Sequence, residues 1–156
     1  MSCDAARNYR LQTAECAGPV GVIVQAYEQI VRALHQAGRA ADEGSIELKT
    51  QEVNRALTIT SHLQAMLDHE AGPKVADKLE LFYETMRYQI LKASAQPSGD
   101  NLREVSRYFL TLQEAWRVVE RDHPVLPAGV APPRRPAPLQ PSPDFPTEPA
   151  PSTWNA

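Results

Sequence analysis

Apolar residues return every three to four positions along four stretches of this chain, with polar or helix-breaking residues between them. That period belongs to an α-helix with one buried face. The first predicted helix opens at Gly18-Pro19 and carries Val20, Ile23, Val24, Tyr27, Ile30, Val31 and Leu34 before fading at Gly38 and Asp42-Glu43-Gly44. Proline suits the first helical position because its missing N–H costs nothing there. The second helix is placed from an N-cap at Ser45, with Glu47 against the helix dipole, along Ile46, Val53, Ala56, Leu57, Thr60, Leu63 and Leu67. It ends at Ala71-Gly72-Pro73, where Gly72 is expected to take a left-handed cap and Pro73 to open the next helix. The third carries Val75, Leu79, Phe82, Tyr83, Met86 and Ile90 and stops at Gln96-Pro97-Ser98-Gly99. Asp100 or Ser98 caps the fourth, whose stripe is Leu102, Val105, Phe109, Leu112, Trp116 and Val119, and Pro124 ends it.

Four long stripes with three short connections predict an all-α fold, an antiparallel up-down four-helix bundle over residues 18–123. Residues 1–17 read as a flexible N-terminal arm, polar except at points such as Tyr9 and Leu11. Residues 124–156 hold all of the fourteen prolines except Pro19, Pro73 and Pro97. So little periodic apolar surface cannot offset the entropy of ordering, and the segment reads as a disordered proline-rich tail, partly polyproline II. Pro133-Arg134-Arg135-Pro136 and Pro138-Leu139-Gln140-Pro141 fit a PxxP spacing, a match that composition alone produces here.

The charge is −3. Arg134 and Arg135 balance Asp144 and Glu148 in the tail, so the imbalance belongs to the helices and no basic face suits nucleic acid. Cys3 and Cys16 both precede the helices and read as free thiols. No leader pattern and no run of about 18 apolar residues appears, so membrane insertion is not expected and the expected compartment is the cytoplasm.

Catalytic chemistry finds little support. A carboxylate-bridged di-metal bundle needs Glu-x-x-His on each of two helices, whereas only Glu120-Arg121-Asp122-His123 is present, at a helix end. His69-Glu70 begins like a zinc-protease motif, but Gly72 and Pro73 break the helix before a second histidine. His35-Gln36-Ala37-Gly38-Arg39 loosely imitates a phosphotransfer histidine, and His62 has no such company. No enzyme, cofactor or metal is expected.

Two helices instead carry apolar residues beyond one core's need: Leu48, Ile59 and Met66 on the second, Leu81, Tyr88 and Leu91 on the third. As the two are antiparallel neighbours, these residues are expected to line opposite walls of one external groove suited to an amphipathic segment. The bland alternative is a wide core with scattered surface leucines.

From Tyr9 to about Asp122 the chain resembles the flagellin export chaperones (FliS). Tyr9 stands about ten residues before Pro19, and Tyr27 falls late in the first helix. Asn54-Arg55-Ala56 followed by Ile59 is similar to the family's Asn-Lys-Ala-x-x-Ile element, Leu63 and Leu67-Asp68 continue it, and Gly72 falls at the turn. Leu79 with Phe82-Tyr83 is similar to Asn-Leu-x-x-Leu-Tyr, and Leu112 with Ala115-Trp116 matches the ending of the fourth helix. Departures are Lys78 for asparagine, Phe82 for leucine, Arg55 for lysine, the glycine-rich Gly18-Pro19-Val20-Gly21 and the proline-rich extension.

The resemblance implies a cytosolic chaperone that holds the C-terminal segment of flagellin, prevents premature polymerisation and supports export by the flagellar type III system. It implies the export apparatus and a co-chaperone or regulator as further partners, and Tyr9 and Leu11 as a cover for the groove when flagellin is absent. Phosphotransfer and a generic helical adaptor are the alternatives.

Overall fold

The computed structural model describes residues 18–123 and 125–132; Tyr9 and Leu11, with the rest of the N-terminal arm, and residues 133–156 lie outside the described residues. Four helices follow one another: α1 (Pro19–Asp42), α2 (Ile46–Ala65), α3 (Pro73–Ser94) and α4 (Asp100–Asp122). They form the expected all-α bundle. Each helix packs on two others, in the ring α1–α2–α3–α4–α1, and α1 is held most extensively, by α2 and α4.

The core follows the predicted stripes, with Tyr27, Ile30, Leu34, Ala56, Ile90, Leu102 and Phe109 fully buried. Across the diagonal, the Tyr27 and Tyr83 hydroxyls are 2.7 Å apart and share one hydrogen bond. Burial raises the Tyr27 phenol far above its ordinary range, reinforced by Tyr83, and pushes Tyr83 up to about 12, so both stay neutral. Phe82 and Phe109 close the cluster, edge to face at 5.6 Å.

At the far end α1 and α4 are clamped backbone to backbone. A Cβ on Gly99 would come 2.0 Å from the Gly38 carbonyl oxygen. Asp42 caps this approach, its Oδ1 accepting the Gly99 N–H at 2.8 Å and its Oδ2 accepting from Arg103 Nη1 at 2.8 Å. These bonds, the Gly99 N–H first, hold the Asp42 carboxyl below its usual range.

Several local expectations are corrected. Ser45 stands at the N-cap of α2 without a side-chain capping bond, and the N-cap position of α4 is Gly99, while Ser98 Oγ accepts the Asp100 N–H at 3.2 Å. Ile46 and Val75 are exposed, outside the core stripes. Gly72 has φ −155°, not a left-handed value.

The tail expected to be disordered from residue 124 is ordered over 125–132. Val130 forms an antiparallel bridge with Leu67 just beyond α2, the Asp68 N–H donates to the Gly129 carbonyl at 2.7 Å, and the Ala131 N–H donates to the Met66 carbonyl at 2.8 Å. Val130 is buried and Leu126 packs against the core. The glycine at 72 is needed for this contact, since a Cβ there would fall 2.1 Å from the Ala128 carbonyl. Gly129, at φ +104°, supplies the turn that an L side chain would strain. Gly72→Ala is therefore expected to lift residues 125–132 while sparing the bundle. Hydrogen exchange read by mass spectrometry should speed up across 128–131 with α1 and α4 unchanged; unaltered exchange at Ala131 would contradict this.

Candidate partner-binding site

On α3 the residues facing the core are Ala76, Leu79, Tyr83, Met86, Ile90 and Ala93. At 100° per residue, Leu81 and Tyr88 point away from that face and Leu91 lies beside them. Leu81 is 67% exposed, Tyr88 63% and Leu91 54%, so three large side chains at spacing i, i+7 and i+10 make one outward line. The core has no use for them.

Leu48, Ile59 and Met66 go elsewhere. Ile59 and Met66 are half-buried and, with Val22, Ala26 and His62, line a mostly apolar depression of about 360 Å³ between α1 and α2. Leu48, 41% exposed, lines a second one of about 360 Å³ along the same seam with Gln36, Arg39 and Glu52. The single α2–α3 groove is thus not formed: the α2 residues turn toward α1. Between α2 and α3 the surface carries a polar contact, Arg87 Nη1 donating to Gln64 Oε1 at 3.3 Å. Two surfaces result, an outward line on α3 and a furrow along the α1–α2 seam made up of these two separate depressions.

The furrow holds a feature the sequence did not reveal. Glu52 is 8% exposed, yet its Oε2 has no hydrogen-bond partner among the described residues. The nearest cation is Arg55, 3.9 Å away and too far for a hydrogen bond. A buried carboxylate oxygen without a donor is costly, and it marks a place for one.

Of the histidines weighed for chemistry, His35 has its Nε2 3.2 Å from Ser106 Oγ, a bond that ties α1 to α4. His69 lies between two carboxylates, Nδ1 2.8 Å from Asp77 and Nε2 3.3 Å from Glu80. The Asp77 bond first, then the charges of Glu80, Asp77 and Asp68, raises its pKa. With both ring nitrogens beside carboxylates, His69 joins Asp77 and Glu80 in one surface cluster at the α2–α3 corner. His123 is the C-cap of α4, where its Glu120 neighbour is also exposed. Among the described residues no helix is long and apolar enough to cross a membrane.

The protein is thus an all-α four-helix bundle with apolar side chains exposed on two faces, and comparison with known proteins gives that class a family. The flagellar protein FliS family matches residues 2–123, and the chain belongs to it. It is similar to the flagellar secretion chaperone FliS of Vibrio cholerae serotype O1, with 25% identity over 113 residues, covering 72% of this chain and 83% of that protein. The family match ends where α4 does, so residues 124–156, including the ordered 125–132, lie beyond it.

Proposed function

We propose that this protein is a cytoplasmic chaperone of flagellar type III export that holds the C-terminal segment of flagellin and keeps it from polymerising early. Family membership supports the flagellar setting. The observation that carries the binding role is the outward line Leu81, Tyr88 and Leu91, large apolar side chains left in water by a bundle whose α3 core face is already complete. An amphipathic segment that is a helix only in its final assembly needs a surface to bury its apolar stripe meanwhile. Because the apolar surface lies on two separate faces, a long partner segment that reaches round the bundle fits better than one short helix in one groove. Coupled folding of this kind buries on the order of 1,000–3,000 Å² and spends several kcal/mol on ordering, consistent with a Kd between about 1 μM and 1 nM. The export apparatus and a co-chaperone or regulator are proposed as further partners.

Leu81→Glu tests the reading cleanly, since the side chain leaves no hole in the core. It is expected to weaken binding of the flagellin C-terminal segment by roughly tenfold or more, the scale of losing one anchoring apolar contact, with helix content and melting temperature unchanged. Titration calorimetry that finds wild-type affinity in this variant would remove the α3 line from the site. Ile59→Glu is a different experiment, because Ile59 is half-buried against the core and a charge there also costs stability. If the purified full chain binds no flagellin segment at all but captures another amphipathic helix, the adaptor reading replaces this one.

A further inference from the structure

The segment 125–132 does more than end the fold: it fixes the point at which the rest of the chain leaves it. Because Val130 pairs antiparallel with Leu67, the chain from Val130 to Pro132 runs back toward the N-terminus of α2. Ala131 is fixed to the Met66 carbonyl, and Ala131 and Pro132 line a depression together with His62, Ala65 and Met66. His62 and Met66 also line the apolar end of the α1–α2 furrow. The last described residues are therefore at the mouth of that furrow and directed along it, with 24 residues, 133–156, still to follow.

We propose that the furrow is occupied by this chain's own residues 133–139, laid antiparallel to α2, with Arg135 on Glu52 and Leu139 against Leu48. The register follows from two rises. From His62 to Leu48 is fourteen residues of helix, about 21 Å at 1.5 Å each. From Pro132 to Leu139 is seven residues, about 22 Å at the 3.1 Å rise of polyproline II, the conformation that Pro133, Pro136 and Pro138 favour. Leu139 thus arrives at Leu48, which is exposed in the described structure. Glu52 lies about 15 Å from His62, and Arg135 about 9 Å from Pro132, leaving a gap of about 6 Å for the guanidinium to cross on its long stem. Arg134 and Arg135 are the tail's only basic residues, and Glu52 Oε2, in the depression that Arg39 also lines, is a buried acceptor without a donor among the described residues. An arginine closes that vacancy with a charge-assisted bond. The tail then covers α2 apolar surface until something displaces it. This inference stands apart from the flagellin reading, since it concerns only the chain's own tail.

The test is disulfide trapping in the full chain with Cys3 and Cys16 replaced by serine. Leu139→Cys is paired with Leu48→Cys in the furrow or, as control, with Leu81→Cys on the outer face of α3; both furrow and control positions are exposed, so neither variant disturbs the core. The furrow pair is expected to close at least about tenfold faster than the control, at a rate independent of protein concentration, giving a monomeric product. Arg134→Glu with Arg135→Glu should slow the furrow pair toward the control. Equal rates for the two pairs would overturn the proposal. So would a covalent dimer, which assigns the furrow to a second copy's tail, or faster closure of Leu11→Cys than of Leu139→Cys onto Leu48→Cys, which assigns it to the N-terminal arm.

Discussion

Phe109→Ala is expected to lower the unfolding free energy by about 3–5 kcal/mol, the range for emptying a buried aromatic site. Phe109 is fully buried, with Tyr27 at 6.0 Å and Phe82 at 5.6 Å between ring centroids. The ring packs against Tyr27, whose hydroxyl bonds to Tyr83 across the bundle, so collapse into the hole would break that bond as well. Against a typical total of about 5–15 kcal/mol, this loss is a large fraction of the fold's stability. Urea unfolding followed by circular dichroism measures it, and a change below about 1 kcal/mol would mean that the aromatic cluster is not the keystone of the core. A milder pair of variants separates packing from polarity. Tyr27→Phe alone strands the Tyr83 hydroxyl and is expected to cost about 1–3 kcal/mol, whereas the double variant with Tyr83→Phe should cost less than the sum.

Much of this architecture was legible because helix periodicity and punctuation agree. Pro19 and Pro73 open α1 and α3 where proline is tolerated, and the largest fully buried side chains, such as Tyr27, Ile30, Leu34, Ile90 and Phe109, are ones the stripes selected, whereas the buried Ala33, Ala37, Ala40, Ala76, Ser106 and Gln113 are not. The failures share a cause. Ile46 and Val75 fit a stripe in sequence but stand in the first turn of a helix, at the end of the bundle, where the structure leaves them exposed. Gly72 was assigned its role from local backbone logic, yet what requires it is Ala128, fifty-six positions away. The same applies to Val130: three prolines around a few isolated apolar residues carry no period, and the pairing edge they meet, Met66-Leu67, is only two residues long.

The candidate surfaces were half legible, for a geometric reason. A helical wheel places Leu48, Ile59 and Met66 to one side of the α2 core face, but sequence does not say whether α1 or α3 occupies that side. The structure puts α1 there, with Val22 and Ala26 facing Ile59 and Met66. On α3 the question did not arise, because Leu81 and Tyr88 point away from every neighbour and their exposure follows from the period alone. The unpartnered oxygen of Glu52 had no signal in the sequence at all. A glutamate beside Arg55 on a helix reads as a solvated pair until the structure shows one of its oxygens buried, with the arginine 3.9 Å away and too far for a bond.

Gly99→Ala is expected to cost about 3 kcal/mol, the upper end for overpacking a tight contact, and it separates steric from conformational effects. Gly99 has φ −79° and ψ −2°, a backbone any residue adopts, so alanine there brings no strain of its own. By restricting the unfolded chain it would even be expected to stabilise slightly. Opposing this is contact alone: the new Cβ would meet the Gly38 carbonyl oxygen at 2.0 Å, its carbon at 2.5 Å and its Cα at 2.6 Å, all backbone atoms inside α1. The helices must part, and with them the Asp42 bonds to the Gly99 N–H and Arg103. Gly38→Ala is the natural comparison, since its Cβ meets Arg103 Nη1 and the Gly99 carbonyl oxygen no closer than 3.1 Å and gains helix propensity of about 1 kcal/mol. Thermal melts should therefore rank Gly99→Ala well below Gly38→Ala, with Gly38→Ala near wild type. If the two variants melt together, the α1–α4 approach is not the constraint that glycine serves at position 99.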